Sequence, residues 1–233
     1  MRGGRKGGTG AVFPRPFLIG PSRAGKLTLM SAAKPIELVS PDAYLAGELL
    51  ARHKHEYCAG LIYMMAGANT QHNRITTNAT GTLHARLRGK LCEAFNSDAK
   101  VRIRSAGETW FYYPDAMVVC ESNPPGDVVQ DKPVVIVEVL SKSTRRVDEY
   151  EKREAYLTIP TLSAYLLVET TSPRVVVYER DAPGGGFTPR AYEGLDATIP
   201  LDTAGIELPL AELYERVDFA AAAEEEAADA DEE

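Results

Sequence analysis

Apolar residues along the chain change period several times, and each change marks an expected element. Over residues 70–95, Ile75, Ala79, Leu83, Leu87 and Leu91 recur at four-residue steps, which predicts one long amphipathic helix. Upstream, Ser40 and Pro41 supply an N-cap and a first-turn proline. A helix is therefore expected to about residue 52, with Tyr44, Leu45, Leu49 and Leu50 on one face. Residues 56–65 have strand character, with Gly60 as a turn or bulge. Beyond residue 100 strands dominate. Residues 100–104 alternate Val101 and Ile103 with charged side chains, and residues 109–120 are aromatic and β-branched. Residues 134–140 form a continuous apolar run broken only by Glu138, the pattern of a central strand buried on both faces. Thr144 is the expected cap of a helix reaching about residue 158. Strands are expected at 164–168, 174–179 and 187–192, and a short helix at 209–217.

Charge divides the chain into three parts. Residues 1–30 are rich in Gly, Pro and Arg, carry no acid and lack periodicity, so a disordered basic arm is expected there. Met30 then opens the ordered pattern and is an alternative start. Residues 31–219 are read as one α/β (α+β) domain, and residues 220–233, with seven acids and no base, as a disordered acidic tail. The net charge of −7 argues against a protein coated in nucleic acid, but leaves room for one basic groove. No run is long and apolar enough for a membrane span. Cys58, Cys92 and Cys120 show no metal-ligand spacing; they are read as reduced, buried thiols of a cytoplasmic protein. The stretch from Gly20 to Leu27 nearly matches a phosphate-binding loop but lacks the Ser or Thr that should follow Lys26.

Two acids stand out chemically. An unpaired Glu138 carboxylate inside its apolar run would cost several kcal/mol, so it needs a metal, a cation or the open end of the strand. Asp115 lies between aromatic and apolar runs and poses the same question. If neighbouring strands bring both together, their repulsion calls for a divalent cation, and magnesium favours one or two carboxylates completed by water and phosphate. Downstream, Asp148, Lys152 and Tyr156 fall at i, i+4 and i+8 and share one helical face. Bland alternatives stand beside these: a Pro-Asp turn, an edge-exposed Glu and a surface ion pair.

The order of these features resembles a known family. Tyr113-Pro114-Asp115, the stretch from Val135 to Thr144 with its Glu-Val-Leu-Ser-x-Ser-Thr core, then Asp148, Lys152 and Tyr156, then the stretch from Ala164 to Glu169, look like the Uma-two family of restriction-endonuclease-like proteins. Glu56, Gly60 and His72 resemble it upstream. The resemblance implies a PD-(D/E)xK fold, a mixed central β-sheet flanked by helices, and a magnesium-dependent endonuclease acting on DNA, with manganese as a substitute. It implies Asp115, Glu138 and the Val139 carbonyl as metal ligands, Glu56 as an additional acid, and a possible homodimer. The superfamily lysine lies two residues after the acid, where this chain has Leu140; Lys152 is then the expected replacement, with Lys142 as rival. His72 and Lys142 are candidate phosphate contacts. A non-catalytic nucleic-acid- or protein-binding module on the same fold is the alternative.

Overall fold

The computed structural model describes residues 37–65, 67–142 and 144–220. The expected arm, Met30, the phosphate-loop-like stretch and the tail from residue 221 onward lie outside the described residues.

Helix α1 (Pro41–Glu48) starts where the Ser40 hydroxyl accepts from the Ala43 N–H. It stops a turn earlier than expected, because Glu48 Oε1 accepts from the His55 N–H and draws the chain into a strand. Leu49 and Leu50, expected on the buried face, are exposed, and Tyr44 alone in the helix is buried. The stretch over 56–65 is a hairpin of β1 (His55–Cys58) and β2 (Leu61–Met64). Its turn places Ala59 and Gly60 both at positive φ, as two-residue hairpins prefer, and a Cβ on Gly60 would approach Leu38 Cβ to 2.9 Å.

Helix α2 (Thr70–Leu87) ends well before residue 95. Arg88 turns extended and Gly89 adopts φ 73°, so Leu91 becomes exposed and the next residues form β3 (Glu93–Asn96). The expected strand over 109–120 is split. β5 (Glu108–Tyr112) pairs with β4 (Lys100–Ser105), whereas β6 (Ala116–Val119) joins another sheet, with the break at Tyr113–Asp115. β7 (Val129–Gln130) is short, and β8 (Pro133–Val139) is buried at every position, as its apolar run predicts. A π-helical segment (Val147–Lys152) runs into α3 (Arg153–Tyr156), where a regular α-helix was expected. β9 (Ala164–Val168), β10 (Arg174–Arg180), β11 (Phe187–Glu193), β12 (Thr198–Leu201), β13 (Ile206–Pro209) and α4 (Leu210–Leu213) complete the described chain.

Six strands form the central sheet in the order β11-β10-β9-β8-β6-β3, with β8 and β9 parallel and the other pairs antiparallel. The crossover between β8 and β9 is the π-segment and α3, a βαβ unit. Alternation along the strands feeds two cores. Val118, Val135 and Val137 face Ile75, Ala79 and Leu83 of α2. Met117, Ile136 and Leu140 face Tyr156, together with Val101 and Tyr112 of the smaller sheet β2-β1-β5-β4-β7. Each fully buried aliphatic side chain contributes about 1.5–3 kcal/mol, so β8, covered on both faces, is a stiff base for the residues at its end. The architecture is the expected mixed sheet flanked by helices.

One expectation about the cysteines is corrected. Cys92 and Cys120 form a disulfide, with Cα atoms 3.9 Å apart, and Cys58 remains a thiol. They lie one position beyond the paired residues Glu93 and Val119, so the β3–β6 ladder sets them opposite each other. Reading residues 70–95 as one helix hid this pairing. The reduced-thiol argument for the compartment falls with it. Among the described residues, no helix is long and apolar enough to cross a membrane.

Candidate active site

The antiparallel register of β6 and β8 pairs Ala116 with Val137, so Asp115 stands opposite Glu138 at the next step outward. Both acids line one cleft of about 1130 Å³, between the start of α2, the end of β8 and the π-segment. Glu138 is almost wholly buried and Asp115 is 15% exposed at its side chain. Asp115 Oδ2 accepts from the Val139 N–H at 2.7 Å. His72, in the first turn of α2, places Nε2 3.3 Å from the same oxygen. Burial opposes a charged His72, but the bond to Asp115 and its negative charge prevail, and the imidazole is held above its ordinary range. The loop itself is capped by Asn69, whose side chain accepts from the His72 N–H, so the imidazole is left to steady the acid.

The second half of the site is a lysine among carboxylates. Lys152 Nζ lies 2.9 Å from Glu56 Oε1, 3.2 Å from Asp148 Oδ1 and 3.3 Å from Glu138 Oε1. Glu56 comes from β1 and also accepts, at 3.4 Å, from the Tyr113 N–H. The π-segment carries Asp148 and Lys152, and Tyr165 donates to the Asp148 carbonyl at 3.0 Å within it. Tyr156 donates to Glu138 Oε1 at 2.8 Å. Burial drives the Glu138 carboxyl well above the usual carboxylate range; Lys152 pulls it down, and Asp148, Asp115 and Glu56 add to the rise. Asp148 is raised too, first by burial. Lys152 loses solvation, yet its carboxylate neighbours, Glu138 first, hold it well above its ordinary range.

Of the residues expected from sequence, Glu56, Asp115, Glu138, Val139, Lys152 and His72 converge here. Lys142 is apart from the lysine site: it is exposed in a turn at the cleft rim. Between the two lysines, the buried contact with Glu138 belongs to Lys152. Asp148 and Tyr156 had no role assigned from sequence. Their spacing around Lys152 was the available signal, but what they would face depended on where β8 lay.

The sequence matches the family Uma2, described as putative restriction endonuclease, over residues 41–211. The chain belongs to this family. Relatives of this Uma2 chain include two uncharacterized proteins of Synechocystis sp. One, slr1290, is 32% identical over 193 residues, 81% of this chain and 98% of the relative. The other, sll1609, is 33% identical over 154 residues, 65% of this chain and 86% of the relative. In three dimensions the fold is similar to the crystal structure of a putative nuclease belonging to DUF820 from Anabaena variabilis. The TM-score is 0.59 at 15% identity, over 76% of this chain and 97% of that one. The fold is thus restriction-endonuclease-like, and membership in Uma2 supports a nuclease-type function.

The donor set can be tested against a metal ion. Three carboxylates (Glu56, Glu138, Asp148) meet the Lys152 ammonium and Asp115 stands beside the His72 imidazole, so the acids outnumber the cations that face them. Among the described residues, Asp115 Oδ1 and Glu138 Oε2 carry no hydrogen bond. No three His, Cys, Asp or Glu side chains converge in ligand geometry among those residues. Lys152 is interposed between several of the acids, and the expected set is two carboxylates and one carbonyl. A hard divalent cation, which takes few protein oxygens and keeps several waters, fits such a set.

Proposed function

We propose that this protein is a magnesium-dependent endonuclease that hydrolyses DNA phosphodiester bonds. The supporting observation is the opposition of Asp115 and Glu138 at the ends of two adjacent strands, each with an oxygen on the cleft that takes no hydrogen bond among the described residues. Asp115, Glu138 and the Val139 carbonyl would hold the magnesium, for which manganese can substitute. When bound, the ion would polarise the phosphodiester and acidify a water. The chain's own residues have separate tasks. His72 steadies Asp115, and Glu56 and Asp148 hold the Lys152 ammonium beside Glu138. From there the ammonium can orient a water or offset negative charge gathering on the phosphoryl oxygens. Lys142 at the rim suits a neighbouring phosphate. Cutting both strands of a duplex at once would call for two copies of this cleft, hence a homodimer on DNA.

Incubation of supercoiled plasmid with the protein and Mg²⁺, beside Asp115→Ala, tests this reading. Nicking by the native chain that disappears in the variant supports it. DNA binding without any cleavage, in Mg²⁺ or Mn²⁺, replaces it with a non-catalytic binding module.

A further inference from the structure

Tyr156 is completely buried, its ring between those of Tyr112 (centroids 5.5 Å apart) and Tyr165 (5.2 Å). Phenylalanine would fill this aromatic layer as well as tyrosine does. The hydroxyl is what needs explaining, since a buried phenol must find a hydrogen-bond partner. Its partner is Glu138 Oε1, the same oxygen that Lys152 approaches at 3.3 Å. Two donors therefore converge on one oxygen of Glu138. The other, Oε2, receives none among the described residues, and the side chain lines the cleft.

From this asymmetry we infer that Tyr156 is a positioning residue, whose phenol fixes Glu138 Oε1 so that Oε2 faces the cleft as a metal-binding oxygen. The inference rests on the metal reading given above. A carboxylate held by an ammonium alone can rotate about its last torsion and offer either oxygen, or both, to that cation, because three equivalent N–H groups set no single direction. A phenol on a ring packed between two others is a fixed donor and removes that freedom. Being neutral, it also leaves the negative charge of the cluster undiminished, as a second cation would not. Partners of this kind, which orient a ligand without touching the ion, typically govern metal affinity by 10–100-fold.

The test is a Mn²⁺ titration of the full chain, following free Mn²⁺ by electron paramagnetic resonance, on wild type, Tyr156→Phe, Glu138→Gln and Tyr214→Phe. Tyr214 is a control of equal chemistry: it is buried, and its hydroxyl donates to the Arg174 carbonyl at 2.7 Å, outside the cleft. The expected result is a Kd raised about 10–100-fold in Tyr156→Phe and unchanged in Tyr214→Phe, with both variants folded by thermal melts. A Kd within twofold of wild type in Tyr156→Phe, while Glu138→Gln weakens binding, overturns the positioning role and leaves the metal reading intact. Equal binding by wild type and Glu138→Gln overturns the metal reading, and the role of Tyr156 with it.

Discussion

Lys152 Nζ lies 2.9 Å from Glu56 Oε1, joining the segment after the central strand to the first hairpin of the fold. This pair ties the smaller sheet to the acid cluster, and Lys152 is the cation that Glu56, Glu138 and Asp148 share.

Removing that cation leaves carboxylates buried without compensation. Lys152→Ala is expected to lose about 3–5 kcal/mol of stability, the usual cost of breaking a buried ion pair from one side. Urea melts measure it. Added Mg²⁺ should recover part of the loss in this variant; no recovery at millimolar Mg²⁺ would count against a metal-binding acid cluster.

The raised Glu138 carboxyl, lifted first by burial, sets a pH dependence. Its folded value lies above its unfolded one, so the folded state holds the proton more tightly. The stabilisation from that proton is complete below the unfolded value, about pH 4.3, and is lost as pH rises toward the folded value. Glu138→Gln mimics the protonated acid. Its melting temperature relative to wild type should therefore climb between pH 5 and pH 8 in metal-free buffer. Metal binding must expel the same proton, so calorimetry in buffers of different ionisation enthalpy should register proton release, with affinity growing as pH rises.

Lys142 is exposed on the rim and Lys152 is buried in the cluster, which separates their roles. Lys142→Ala should weaken DNA binding alike for all sequences and reduce the salt slope by about one. Its Mn²⁺ affinity should stay at the wild-type value. Fluorescence anisotropy across a salt series reads both slope and affinity, and an unchanged slope removes Lys142 from the backbone contacts.

Cys92 and Cys120 close a loop with a sequence separation of 28. A cross-link of that span is worth roughly 3–4 kcal/mol in the chain-entropy account. Dithiothreitol should lower the melting temperature of wild type and leave Cys92→Ser/Cys120→Ser unaffected. Equal melting of wild type with and without reductant would contradict the bond.

Particular residues explain which parts of this arrangement were legible in the sequence. The run from Val134 to Leu140 had the pattern of a strand covered on both sides, and a strand was also expected from Ala164. Four-residue spacing located the buried face of α2 correctly, but it ran on through Leu91, because periodicity does not register that Gly89 turns the chain left-handed. β5 and β6 read as one strand: both are apolar and aromatic, and the change of sheet at Pro114 depends on long-range pairing. For the site, composition offered only two awkward acids. Their opposition is a matter of register between β6 and β8, which family resemblance anticipated and local pattern did not. The grouping of Asp148, Lys152 and Tyr156 was visible, because four-residue spacing keeps side chains on a common face in an α-helix and nearly so in a π-helix.

The widened turn over Val147–Lys152 has a consequence for variation in this chain. Such turns accommodate one residue more than an α-helix would in the same span. Deleting a single residue there would let the segment relax to ordinary pitch. The chain beyond it would keep its placement, because the extra residue is what the widening absorbs. Asp148 and Lys152, if the lost residue lay between them, would stand three positions apart instead of four, and their contacts with each other and with Glu138 would have to be rebuilt. Length, as much as identity, is therefore under constraint in this short stretch.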